Sequence, residues 1–257
     1  MGFIRDWRRR AWLRRYPISN QSWGSTIART PLLQMLPAAD RVRLRQLATV
    51  FIQEKTWVSA AELTLTEEMQ LRIAALAALP ILGLDLDWYL GWDTVIVYPG
   101  EFVHPRKEVD EGGLVHQWNE VRSGESWEHG PVIFSWADVV ASGRVDGYNV
   151  VIHEFAHKLD MLNGPPDGFP PLHGGMSVRR WTGDFTTAFE ALNACLDEGR
   201  EPPVDEYAAQ DPAEFFAVLS EYFFELPHYL REVWPAIYAD LCAFYRQDPL
   251  SWPGFKA

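Results

Sequence analysis

Two histidines and a glutamate in the segment His153–His157 (HEFAH) have the types and spacing of a metal-dependent hydrolytic site. On an α-helix, residues i and i+4 lie one turn apart on the same face, so His153 and His157 can bind one ion. Glu154 is rotated by about 100° and is poorly placed as a third ligand, but it can reach a water molecule beside the ion. Imidazole and carboxylate ligands suit zinc, which lowers the pKa of a bound water to about 7. The segment therefore predicts a zinc site with Glu154 as general base.

The residues around this segment predict a largely buried helix. Apolar residues supply its buried positions, and the sequence Asn163-Gly164-Pro165 is a helix stop signal. The alternative is a surface helix whose histidines and glutamate face water. The apolar flanks argue against it, because two imidazoles one turn apart on a buried helix need a shared polar partner.

A catalytic zinc site needs a third protein ligand, and the carboxylates of a downstream helix are the candidates. Asp211 is a natural N-cap for that helix, and Pro212 suits its first turn. Glu214 follows in the first turn and Glu221 two turns later. An acid three residues after an N-cap is also what a capping box favours, so Glu214 has a structural alternative. Spacing alone leaves Glu214 and Glu221 open as third ligand.

Asp160 lies three residues after His157 and seven after His153, on the same predicted helix face. Its carboxylate could accept the second N–H of a ligand imidazole and fix the tautomer of that ring. It could equally be an ordinary acid near the helix end, with Lys158 nearby. Both interpretations remain open at the level of sequence.

The elements that must position these residues predict an α+β fold. Helical periodicity dominates residues 30–90, residues 95–98 and 131–136 read as short buried strands, and helices return from residue 147 to the end. We expect a mainly helical single domain with a small central β-sheet. We also expect the strand at residues 132–136 to form the sheet edge that pairs with an extended substrate.

Composition limits the class of protein. The 257 residues are 47% apolar and carry a formal net charge of −12, which argues against a general nucleic-acid binder. Two cysteines exclude a disulfide scaffold and a thiolate metal cluster, and favour a cytoplasmic location. The longest apolar run, residues 73–84, is too short for a membrane span, which needs about 20 residues.

Residues 1–16 differ from the rest and are predicted to form a basic N-terminal arm. They contain six arginines and one acid, whereas the remaining residues carry 17 basic and 34 acidic side chains. Apolar residues at helical spacing make an amphipathic basic helix possible, which would dock on an acidic surface, a membrane face or a partner. Alternatively, the arm lies partly frayed on its own acidic body. Residues 17–257 are then one metallopeptidase domain, helical to about residue 90 and catalytic from about residue 91.

The motifs together resemble a known family. The segment HEFAHKLD at 153–160, followed after about fifty residues by YAAQDPAE at 207–214 and then by AVLSEYFFELP, is similar to the Mlc titration factor A family of bacterial cytosolic gluzincin-type metallopeptidases. The resemblance covers nearly the whole chain, including VIVYPGEFV, SWEHGPVIFSW and FYRQDPL, but the first 16 residues match poorly. The motif region is also similar to the catalytic domain of anthrax lethal factor, in which a tyrosine stands seven residues before the zinc-binding glutamate.

This resemblance implies a zincin-like active-site helix and a role for each motif residue. His153, His157 and Glu214 would bind one Zn2+ per chain, Glu154 would be the general base, and Tyr207 would stabilise the transition state. It also implies aminopeptidase-like activity on short peptides and binding of a transcriptional repressor of glucose uptake, of the Mlc type. The alternative is a non-catalytic, repressor-binding regulatory protein with a vestigial zinc site.

Overall fold

The computed structural model describes residues 2–109, 115–127 and 130–256. Its α-helices are α1 (Gly2–Arg15), α2 (Asn20–Ala28), α3 (Pro31–Met35), α4 (Ala38–Glu54), α5 (Glu67–Ala78), α6 (Trp136–Ala141), α7 (Val150–Asp160), α8 (Val178–Asp197), α9 (Pro212–Glu225), α10 (Pro227–Val233) and α11 (Pro235–Tyr245). Its β-strands are β1 (Thr56–Ser59), β2 (Thr94–Tyr98), β3 (Phe102–Val109), β4 (Val115–Arg122), β5 (Gly124–Ser126) and β6 (Val132–Ser135). Helices dominate, which confirms the predicted mainly helical α+β class.

The strands form one small mixed sheet and one hairpin. The sheet has the order β1-β2-β6-β5, in which β1, β2 and β6 run parallel and β5 runs antiparallel to β6. Strands β3 and β4 pair with each other as a two-stranded antiparallel ribbon. Parallel neighbours require long crossover connections, and here α5 lies between β1 and β2 in the chain.

Two sequence predictions about the sheet are wrong. Strand β6 has paired neighbours on both sides, β2 and β5, so it is internal and cannot be the substrate-pairing edge. The edge beside α7 is instead β5, a three-residue strand with no strong sequence pattern. Strand β1 lies inside the stretch predicted as helical. The prediction failed there because this segment is short and mostly exposed, and its strand conformation is specified by pairing with β2 and not by its own periodicity.

Helix α7 is the central element of the domain. Asn149 caps it, since the Asn149 side chain accepts a hydrogen bond from the backbone N–H of Ile152 at 3.1 Å. Ten of its eleven residues are buried, and it contacts α5, α9, β5 and β6. Burial on several sides explains why its sequence is apolar on more than one face.

Helix α9 packs against α7 and begins as the sequence predicts. The carboxylate of Asp211 accepts hydrogen bonds from the backbone N–H groups of Ala213 and Glu214, at 2.8 and 2.9 Å, and Pro212 occupies the first turn. The Asp211 side chain thus caps the helix, and the Glu214 carboxylate lies 2.9 Å from His153 on α7.

Helix α1 lies on the surface and contacts α4. Arg9 pairs with Glu54 at 2.8 Å and with Asp87 at 2.6 Å, and Arg5 also pairs with Asp87. The basic arm is therefore helical and bound to acidic residues of the body. Among the helices within the described ranges, none has the length and apolarity needed to cross a membrane.

Candidate metal centre

Three side chains from α7 and α9 converge on one point. The Nε2 atoms of His153 and His157 are 3.2 Å apart, and Oε2 of Glu214 lies 2.9 Å from the first and 3.3 Å from the second. His157 is buried, while His153 and Glu214 are nearly so. Within the parts of the chain that the structure describes, these are the residues that form a potential metal-binding group.

The spacing of these atoms fits a tetrahedral zinc ion. With bonds of about 2.0–2.1 Å to a common centre, tetrahedral ligand atoms lie about 3.3–3.4 Å from one another. The three observed separations are close to that value. Two facing imidazole nitrogens and a carboxylate also need a cation between them, and two histidines with one glutamate are a common ligand set of catalytic zinc. The residues present therefore fit the metal.

Glu221 contacts the opposite side of the His153 ring. Its Oε1 lies 2.8 Å from Nδ1 of His153, so Nδ1–H donates to it while Nε2 faces Glu214. Burial alone would lower the pKa of His153, but its hydrogen bonds to Glu214 and Glu221 raise that pKa well above its ordinary value. A metal ion would replace the proton on Nε2, and the Nδ1 contact would then orient the ring.

Asn149 hydrogen-bonds to both Glu221 and Glu225, two carboxylates of α9. The backbone N–H of Asn149 donates to Glu221, and its side-chain amide donates to Glu225 at 2.8 Å. Glu225 also accepts a hydrogen bond from the backbone N–H of Val145. One residue thus caps α7 and ties it to two carboxylates of α9, which holds the two ligand-bearing helices together.

Glu154 lies beside the metal-binding group, against strand β5. Burial raises the pKa of its carboxyl above the ordinary value. Its Oε2 is buried and has no hydrogen-bond partner among the described residues. A Cβ atom at Gly124 would lie 2.6 Å from Oε1 of Glu154, so glycine is what allows the strand to approach this side chain.

Tyr207 and a cavity lie next to the metal-binding group. The Tyr207 ring lies 5.9 Å from the His153 ring, centroid to centroid. A cavity of about 410 Å³ adjoins His153 and Glu154 and is also lined by Asp146, Asp205 and Tyr207. The structure thus brings His153, Glu154, His157, Glu214 and Tyr207 to one place.

Asp160, the remaining predicted site residue, hydrogen-bonds to the loop that follows α7 through one of its two carboxylate oxygens. Its Oδ2 accepts hydrogen bonds from the backbone N–H groups of Asp167 and Gly168, at 2.9 and 2.8 Å, and so fixes the loop that follows α7. Burial raises the pKa of its carboxyl to about 6. Among the described residues, its Oδ1 and Nδ1 of His157 are both buried without a hydrogen-bond partner. A contact between Asp160 and a ligand imidazole stays a prediction.

Comparison with known proteins matches this geometry to a family. The model of the glucose-regulated metallo-peptidase M90 family matches residues 4–246. The chain belongs to that family. It is also 42% identical over 226 residues to "Mlc titration factor A" from Yersinia pestis (strain Pestoides F) and from Yersinia pseudotuberculosis serotype O:1b (strain IP 31758), covering 86% of this chain and 83% of each relative. The predicted resemblance to the Mlc titration factor A family is confirmed.

Membership of a metallopeptidase family implies a bound metal, and the ligand set described above is where this M90 chain can hold it. Three features of the site have no distinct signal in the sequence. They are the contact of Glu221 with the His153 ring, the contacts of Asn149 with Glu221 and Glu225, and the need for glycine at position 124 beside Glu154. The sequence indicated Glu221 only as an alternative third zinc ligand. Asn149 precedes the segment His153–His157 in the sequence, and nothing there indicated its contacts with α9.

Proposed function

We propose that this chain is a zinc-dependent peptidase in which His153, His157 and Glu214 hold one zinc ion. The observation that carries the proposal is the convergence of their three ligand atoms at separations close to those of a tetrahedral site. Glu154 is buried beside this group, and its Oε2 has no hydrogen-bond partner among the described residues, which supports a general base there, because a buried carboxylate oxygen is costly unless a polar group meets it.

The proposed chemistry assigns one step to each residue. When bound, zinc supplies a Lewis acid and lowers the pKa of water at the site to about 7. Glu154 takes the proton from the attacking water and passes it to the leaving amine, and its raised pKa suits it to hold that proton between the two steps. Tyr207 donates its hydroxyl proton in a hydrogen bond to the oxyanion that develops on the peptide carbonyl.

Strand β5 is the proposed binding edge for the substrate backbone. The backbone N–H of Ser135 on β6 donates to Ser123, and the N–H of Trp127 donates to Pro131, just before β6. The alternation of an antiparallel ladder therefore directs the backbone groups of Gly124 and Ser126 towards the open edge. An extended peptide added there would run past Glu154, as in other strand-addition complexes. This replaces the edge role that the sequence assigned to residues 132–136.

An aminopeptidase-like preference is the finer part of the proposal. The cavity beside the metal-binding group contains the carboxylates of Asp146 and Asp205, and no lysine or arginine is among its described lining residues. An acidic cavity of this size suits the ammonium group of a short peptide. Hydrolysis of a free alanyl anilide, compared with its N-acetylated form, tests this preference. Equal rates on both would contradict it.

Zinc content and peptide hydrolysis, measured on the same variants, test the proposed function. Wild type should hold one zinc per chain after dialysis against a weak chelator, Glu214→Ala should hold much less, and Glu154→Gln should keep the zinc but lose hydrolysis. Glu232→Gln, an exposed acid on α10, is the matched control and should leave both unchanged. A zinc-free wild type, or an active Glu154→Gln variant, would overturn the peptidase assignment.

Repressor binding is the second candidate function. It is favoured by the 42% identity to proteins named Mlc titration factor A. Calorimetric titration of the chain with a purified Mlc-type repressor should give a stoichiometric complex. Binding by Glu154→Gln at wild-type affinity would show that regulation does not need catalysis. Failure of both wild type and variant to bind would remove this function while leaving the peptidase proposal standing.

A further inference from the structure

Among the described residues, helix α1 contacts the body through one side. Arg5 and Arg9 form ion pairs with Asp87 and Glu54, and the apolar parts of Trp12 and Leu13 pack against the core on the same side. These contacts fix the orientation of the helix and leave its opposite side facing solvent.

That opposite side carries an apolar stripe. Phe3 is 85% exposed, Ile4 is 74% exposed and Trp7 is 63% exposed, the highest exposures among the large hydrophobic residues that the structure describes. At about 100° per residue, these three positions fall within an arc of about 100° around the helix axis. Three adjoining, solvent-facing apolar side chains of this size mark an interaction surface.

Arginines border the stripe on both sides. Rotation along the helix puts Arg10 at one margin and Arg8 and Arg15 at the other, while Arg14 lies in line with the stripe two turns beyond Trp7, and all four are exposed. A helix with large apolar residues on one face and basic residues at its margins has the layout of helices that lie in the headgroup region of a bilayer.

Charge decides between the possible occupants of this surface. The four exposed arginines complement a negatively charged surface, and they are the local exception on a chain that is strongly acidic elsewhere. A second copy of the chain is disfavoured, because stacking two such stripes would bring arginine margins together. Nucleic acid would leave the apolar stripe without a partner.

We propose that α1 docks this protein on the surface of an anionic lipid bilayer. Phe3, Ile4 and Trp7 enter the boundary between headgroups and acyl chains, and the four bordering arginines contact lipid phosphates. The ion pairs of Arg5 and Arg9 then keep the body attached to the docked helix. This inference is independent of the proposed peptidase activity.

Co-flotation of the full-length chain with lipid vesicles tests the proposal. Wild type should float with vesicles of phosphatidylcholine mixed with phosphatidylglycerol, much less with phosphatidylcholine alone, and less as salt is raised. Failure of wild type to float with the anionic vesicles overturns the proposal. Equal binding to both kinds of vesicle also overturns it.

Substitutions on α1 locate the docking surface. Reversal of Arg10 and Arg14 to Glu should weaken binding to anionic vesicles by at least about tenfold, because each basic residue near such a surface contributes severalfold to partitioning. Phe3→Ser with Trp7→Ser should weaken it comparably, and both pairs spare Arg5 and Arg9. Wild-type binding by either variant contradicts the assignment of this face.

A matched charge reversal elsewhere is the control. Arg179→Glu with Arg231→Glu changes two exposed arginines on α8 and α10 and should leave vesicle binding nearly intact. Circular dichroism and the thermal unfolding temperature of every variant establish that the fold is retained. Analytical sedimentation without lipid tests whether a second copy of the chain occupies this face. If wild type is a dimer and the Phe3→Ser, Trp7→Ser variant is a monomer, the face serves self-association and lipid docking is overturned.

Discussion

Glu221 and Glu214 contact opposite sides of the same imidazole ring. Oε1 of Glu221 lies 2.8 Å from Nδ1 of His153, and Oε2 of Glu214 lies 2.9 Å from Nε2. The two acids stand two turns apart on α9, so one helix supplies both a metal-facing carboxylate and the carboxylate that orients a neighbouring ligand.

This relationship predicts different effects for the two acids. Glu221→Gln should weaken zinc affinity by about 10–100-fold, as the loss of an orienting partner does, whereas Glu214→Ala should abolish stoichiometric binding. Competition with a chromophoric chelator measures both. Equal and complete loss would make Glu221 a ligand itself, and unchanged affinity in Glu221→Gln would remove its orienting role.

Gly124→Ala should impair catalysis without removing the metal. The new Cβ would lie 2.6 Å from Oε1 and 2.8 Å from Cγ of Glu154, so the carboxylate must move. We expect kcat to fall at least about tenfold, since displacements near 1 Å can cost more than that. Gly183→Ala, on α8 with no atom near the added Cβ, is the control and should keep full activity. Full activity in Gly124→Ala would mean that Glu154 needs no fixed position.

Metal removal should lower thermal stability. The proposed ion joins ligands on α7 and α9, and binding to the folded state alone stabilises it by about 3–4 kcal/mol at saturating zinc. For a chain of this size that corresponds to a decrease of roughly 10 °C in Tm on adding a strong chelator. Glu214→Ala should show little response to the chelator, and a wild-type Tm that does not move would argue against a bound metal.

Glu225 should make stability depend on pH in metal-free protein. Burial raises the pKa of its carboxyl from 4.5 to about 7. Folding therefore takes up a proton between those values, so the free energy of unfolding falls as pH rises from about 4.5 to about 7 and changes no further above it. The contribution is on the order of 3 kcal/mol.

Urea unfolding at pH 5 and pH 8 compares wild type with Glu225→Gln. The variant cannot ionise at this position and should lose less stability between the two pH values than wild type does. An identical pH dependence in both proteins would show that another group is responsible.

Local sequence patterns were sufficient for much of this site. The i, i+4 spacing of His153 and His157 follows from helix geometry, and Asp211 with Pro212 marks the start of α9 within a residue. These features depend on neighbours within one or two turns. The α+β class likewise followed from periodicity in long segments.

Only the tertiary structure decided which carboxylate faces which ring nitrogen, and which strand forms the sheet edge. Glu214 and Glu221 lie on one face of α9, so their roles depend on how α9 is placed along α7. Strand β6 carries the stronger strand pattern, yet β5 occupies the edge, because strand order depends on pairing between distant segments. A one-dimensional pattern records the period of each element but not the register between elements.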